Sequence, residues 1–139
     1  MDILVLIGRI LYAFIFIASG VAHLRMTDVM AGYAESKGVP NARVATIGSG
    51  LLILVGAVLL ILGVWPDLGA LMILAFLVPT ALLMHAFWKE SDPGARTQEQ
   101  IQFNKDVALA GAALCLFAFF AYAGDDLSLT LTGPLFSLS

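Results

Sequence analysis

His85, Trp88, Phe103 and Lys105 fall in one stretch, Pro79 to Gly111, which leaves an apolar segment, crosses the longest charged run and enters another apolar segment. An imidazole and an ammonium can donate hydrogen bonds to ligand oxygens, and an indole and a phenyl ring can stack on a planar group. Asp106 follows directly. Arg9, His23 and Asp67 add ionisable groups from elsewhere in the chain. Histidine titrates near neutrality, so His23 and His85 suit proton handling or headgroup contact as well as a plain interfacial or core position. Trp88 reads first as an interfacial aromatic belt residue, with stacking on a ring-shaped ligand as the second reading. Metal chemistry fits poorly: two histidines without a matching carboxylate or cysteine set fall short of the three or four ligands zinc takes. No HExxH, phosphate-binding glycine loop, GxSxG or CxxC is present, so no residue is assigned a catalytic role.

The elements that position these residues must sit in lipid. The chain has 139 residues, room for one domain over 1–139. It is 60% hydrophobic and 12% charged, with a mean hydropathy of +0.96. Soluble domains run at roughly 45–50% apolar and about 25% charged. A soluble domain this small cannot hide so much apolar surface. The net charge of -3, without a basic cluster, argues against nucleic acid. The one cysteine, Cys115, cannot perform dithiol–disulfide exchange alone, and its apolar setting suits a packing role. Met1-Asp2 offers no positive leader and Ile3 to Ala22 exceeds a usual signal core, so that segment is expected to be retained.

A hydrocarbon core about 30 Å thick takes roughly 20 helical residues. Four segments qualify, at about 3–24, 44–65, 67–88 and 104–123, predicting an all-α membrane protein built as a four-transmembrane-helix bundle. Residues 28–36 suit a short interfacial helix, and Pro79 a kink in the third span. Trp65-Pro66-Asp67 makes a tight hairpin link, with proline at the first position of the next helix. Asp92-Pro93-Gly94 reads as a break in a charged loop. The alternating Leu127 to Thr132 suits an extended or interfacial segment. Arg25, Lys37, Arg43, Lys89, Arg96 and Lys105 all fall on one side, and none on the other. Loops 25–43 and 89–103 are therefore expected in the cytoplasm and both termini outside.

Arg9, Tyr12, Phe16, Ser19 and His23 share one helical face, which should point into the bundle. Arg9 suits three roles: snorkelling to the nearby surface, a buried pair with Asp67 or a C-terminal aspartate, or an anchor for an anionic ligand. Ser49, Gly56 and Gly63 form a small-residue seam on the second span. Asn104, Ala108, Gly111, Cys115, Ala118 and Tyr122 form another on the fourth, facing either the bundle or a second copy.

Arg9 with Ala18-Ser19-Gly20, then His85-Ala86-Phe87-Trp88, then Phe103-Asn104-Lys105-Asp106 leading to Gly111, resembles the DoxX family of small bacterial four-helix inner-membrane proteins. The resemblance covers essentially the whole chain, with Asp106 standing where the family commonly has asparagine. It implies membrane lipid as surroundings and Arg9, His85, Trp88, Phe103 and Lys105 as ligand-binding positions, with His23, Asp67 and Asp106 behind them. A related branch, DoxD, resembles the membrane subunit of thiosulfate:quinone oxidoreductase, and other members resemble accessory subunits of redox partners. Two readings follow. One is an accessory or scaffold subunit for a redox partner protein, without catalysis of its own and open to homo-oligomer formation. The other is a quinone-binding subunit of an oxidoreductase, in which His85, Trp88, Phe103 and Lys105 line a cleft.

Overall fold

The structure is a computed structural model, described here for residues 1–138. Five α-helices account for most of these residues: α1 (Asp2–Arg25), α2 (Thr27–Ser36), α3 (Ala42–Leu62), α4 (Pro66–Leu83) and α5 (Pro93–Ala123). No strand occurs among the described residues. α1, α3, α5 and the segment Pro66–Lys89 are each long and apolar enough to cross a membrane. α2 is the short helix expected after the first span.

Neighbours pack in the order α1, α3, α4, α5, and α2 lies against α3. α1 and α5 flank this row and are joined by the Tyr12 hydroxyl, which donates to the Leu109 carbonyl at 2.8 Å. Glycines allow close crossings: a Cβ on Gly56 of α3 would lie 2.9 Å from the Gly69 carbonyl oxygen of α4, and one on Gly69 2.7 Å from that of Gly56. Lipid gives no hydrophobic drive for such contacts, so close backbone approach supplies the packing instead. Ala13, Phe16, Ile53, Ala57, Leu60, Ile73 and Phe120 are among the residues of the central core.

The helix ends depart from the sequence expectation in three places. α3 stops at Leu62, not near Trp65. Gly63 adopts φ +66°, and the Gly63 and Val64 amides donate to the Leu60 and Leu59 carbonyls, the pattern of a left-handed glycine cap. α4 stops at Leu83, and His85 then lies in a turn before a 3-10 turn at Phe87–Lys89. The largest difference is α5, which starts at Pro93 and not at 104. Asp92 is its N-cap, its carboxylate accepting from the Ala95 amide at 2.8 Å, with Pro93 at the first helical position. Most of the expected loop at 89–103 is therefore helix. With 31 residues at 1.5 Å each, α5 is about 46 Å long, so its first turns extend past a bilayer core of about 30 Å.

The polar face of α1 turns inward as expected, with Arg9 and Phe16 buried. The small-residue stripe on α5 does not: Asn104, Ala108, Gly111, Cys115, Ala118 and Tyr122 all face outward. Cys115 is thus exposed on the single chain rather than packed within it.

Candidate functional site

The two ends of the bundle carry different polar structures. At the end where α1 starts and α5 finishes, the C-terminal tail folds across the helices. Leu131 and Thr132 amides donate to the Gly63 carbonyl, each at 3.0 Å, and the Trp65 amide donates to the Thr132 hydroxyl at 2.9 Å. Asp67 is 0% exposed, and its two carboxylate oxygens accept from the Leu135 and Phe136 amides at 2.9 and 2.7 Å. Arg9 is 1% exposed and donates to the Leu129 carbonyl through Nη2, while Nε and Nη1 have no protein partner. Arg9 therefore neither snorkels nor pairs with Asp67 or a C-terminal aspartate. Each of these two buried charges is held by the main chain of the tail.

At the opposite end, a cavity of about 740 Å³ opens among the helices. Most of its wall is apolar, including Ile15, Phe16, Leu52, Leu77, Leu83 and Met84. Pro79, inside α4, also lines it. Proline has no N–H to donate to the Ala75 carbonyl one turn back, and Ala75 lies on the same wall. The polar lining comes from every helix: Ser19 and His23 of α1, Tyr33 of α2, Thr46 and Ser49 of α3, Thr80 of α4, and Gln102, Lys105 and Asp106 of α5. His85, in the turn after α4, completes it.

His85 sits between two carboxylates of α5. Nδ1 is 2.8 Å from Glu99 Oε2 and Nε2 is 3.7 Å from Asp106 Oδ2. Asp106 is 3% exposed and has the Lys105 ammonium 3.4 Å from Oδ1. Glu99 continues the network outward, accepting from the Tyr33 hydroxyl at 2.5 Å and from Lys37 at 3.0 Å, while Lys37 also reaches Glu90 at 2.6 Å. The hydrogen bond to Glu90 is the main cause that holds the Lys37 pKa above its ordinary value. Burial, reinforced by the Glu99 carboxylate, raises that of Tyr33.

The structure thus divides the residues singled out in the sequence. His23, His85, Lys105 and Asp106 meet on the cavity. Trp88 and Phe103 do not line it. They pack with Phe87 in an edge-to-face trio with ring centroids 5.2 to 5.6 Å apart. Arg9 and Asp67 belong to the other end. The sequence reading missed Glu99, Tyr33 and Lys37. The available signal was Asp92-Pro93 as a cap and first helical residue, which puts Glu99, Gln102 and Asp106 at offsets 0, 3 and 7 on one face. Among the described residues, no group of three or more His, Cys, Asp or Glu side chains could hold a metal ion.

The family model for DoxX matches residues 4–86. The chain is also 31% identical over 114 residues to the inner membrane protein YphA of Escherichia coli (strain K12), covering 82% of this chain and 81% of that one. The chain belongs to the DoxX family. It is a multi-pass inner-membrane protein, supported by its four apolar helices and by its relative. No solved structure gives a significant match. The family match includes Arg9, His23 and His85 and ends before Trp88, Phe103 and Lys105.

Proposed function

We propose that this DoxX protein, folded as one transmembrane domain over 1–139, is an accessory membrane subunit that holds a quinone-like lipophile for a redox partner. The observation that carries this reading is the cavity of about 740 Å³, whose largely apolar wall also carries His23, His85, Lys105 and Asp106. Ligand pockets commonly measure 300–1,000 Å³ and combine an apolar lining with a few placed polar groups. The chain contributes the pocket and not the electrons: its one cysteine offers no dithiol pair, so electrons come from the partner. In this reading the cavity opens toward the cytoplasm, because the six interfacial Lys and Arg residues lie at that end.

The test is organic extraction and mass spectrometry of gently purified protein, with quinone affinity measured on variants. Near-stoichiometric quinone, and a loss of roughly tenfold or more in affinity in His85→Ala and Lys105→Ala, are expected. Bulk phospholipid alone, with unchanged affinity in both variants, overturns the reading.

A scaffold role without a ligand has one observation in its favour. The outward stripe Ala108, Gly111, Cys115 and Ala118 offers a small-residue face for a partner helix or a second copy. Native mass spectrometry showing a homo-oligomer or a co-purifying protein, with no lipophile, selects it.

A further inference from the structure

We propose that the cavity selects its ligand by hydroxyl hydrogens, taking the hydrogen-bond-donating form of a lipophile, a quinol or lipophilic phenol, over the corresponding carbonyl or ether form. This rests on reading the cavity as a lipophile site and adds which form it holds.

The argument is a count of hydrogens. Thr46, Ser49 and Thr80 donate to the Ala42, Thr46 and Phe76 carbonyls of their own helices at 2.8, 3.1 and 2.7 Å. Tyr33 donates to Glu99. A hydroxyl has one hydrogen, so each of these four can offer a ligand only lone pairs. His23 Nδ1 lies 2.8 Å from the Ser19 carbonyl, which can only accept. In the neutral ring that makes Nδ1 the donor and leaves Nε2 an acceptor, with no protein partner. Asp106 is the strongest acceptor of the set. It is 3% exposed, and its nearest nitrogens, Lys105 Nζ at 3.4 Å and His85 Nε2 at 3.7 Å, leave a carboxylate with about four lone-pair sites largely unfilled. His85 Nδ1 lies 2.8 Å from the Glu99 carboxylate, so in the neutral ring its Nε2, like that of His23, is an acceptor.

Donors are fewer. Ser19 keeps its hydroxyl hydrogen. Lys105 donates to Gln102 at 2.7 Å and keeps two further hydrogens, as Gln102 keeps its amide hydrogens, but the Lys105 side chain is 44% exposed, which places this pair at the water-facing rim. Apart from this pair and Ser19, the cavity therefore faces a ligand mainly with lone pairs. A carbonyl or ether oxygen placed there meets acceptors and leaves both sides unsatisfied, whereas a hydroxyl satisfies them. A site whose buried polar groups need a ligand O–H discriminates strongly against the analogue that lacks it.

The test is equilibrium binding to the purified full chain in lipid nanodiscs under anaerobic conditions. Two pairs of probes are used: a short-chain ubiquinol with its ubiquinone, and 4-nonylphenol with its methyl ether. The expected result is roughly tenfold or tighter binding of the ubiquinol and the phenol, a preference that shrinks toward unity in Asp106→Asn. Equal or tighter binding of the ubiquinone and the ether overturns the inference and leaves the lipophile site standing. A phenol preference with no binding of either ubiquinone form overturns the quinone reading and keeps the inference. Failure of all four probes to bind overturns both.

Discussion

The two ends of this bundle handle buried charge in opposite ways. At the tail end, Arg9 and Asp67 are oppositely charged and fully enclosed, yet each is bound by main-chain groups of residues 129–136. Backbone partners are fixed in place and fill the space, which suits a structural closure. At the loop end, charges are satisfied by other side chains, Lys37 with Glu90 and Glu99, and Glu99 with His85. The last member, Asp106, is left facing a large cavity with capacity to spare. Side-chain networks can exchange protons and partners without unfolding a segment. One end is closed by the tail, and the other is the site we propose.

Asp67→Ala is the largest predicted effect. It removes the acceptor of two tail amides, and hydrogen bonds to a charged group contribute about 1.5–3 kcal/mol each. A loss of about 3 kcal/mol in detergent unfolding is expected, with early proteolysis after Leu127 while ligand affinity at the loop end holds. A tail that stays protected would show that Asp67 does not hold the lid. Gly63→Ala comes next. Its backbone sits at φ +66°, and the new Cβ would lie 2.6 Å from Arg9 Nη1 and 2.7 Å from Thr130 Cα. A cost of about 2 kcal/mol is expected, because strain at such a position adds to the clash. A wild-type unfolding midpoint would contradict this packing.

Lys37→Met should cost least, about 1 kcal/mol, since partly exposed ion pairs contribute little. Its signature is the pH dependence. Lys37 and Tyr33 both have pKa values raised in the folded protein, so the proton-bound forms are favoured there. That stability is fully present below their ordinary values, about 10 to 10.5, and is lost as pH rises through the folded values. Unfolding compared at pH 8 and pH 11 should show a smaller alkaline loss in Lys37→Met than in wild type. An equal loss in both would remove Lys37 from the network.

The spans were legible because each is an apolar run of bilayer length, and the inward face of α1 because Arg9, Tyr12, Phe16, Ser19 and His23 repeat at helical spacing. Asp92-Pro93-Gly94 misled because the same three residues signal a turn and a capped helix start, and the decision depends on whether Asp92 finds the Ala95 amide. Reading them as a break hid Glu99, and with it the partners of His85, Tyr33 and Lys37. The position of Arg9 had no local signal at all: its acceptor, the Leu129 carbonyl, lies 120 residues away, and a main-chain oxygen has no sequence identity. The quinone reading puts Trp88 and Phe103 on a ligand because aromatic rings suit ring stacking, while Trp88 by itself reads first as a belt residue. In the fold they satisfy that preference with Phe87.

The central claim, that the loop end is the site and the tail end its closed counterpart, is tested most directly by photo-crosslinking with an azido-quinone followed by peptide mapping. The account predicts labels on cavity residues, such as those near Ser19–His23, Thr46–Ser49 and Thr80–His85, competed away by excess unlabelled quinone. Competed labelling confined to Leu127–Phe136 or to the outward face around Cys115 would contradict it.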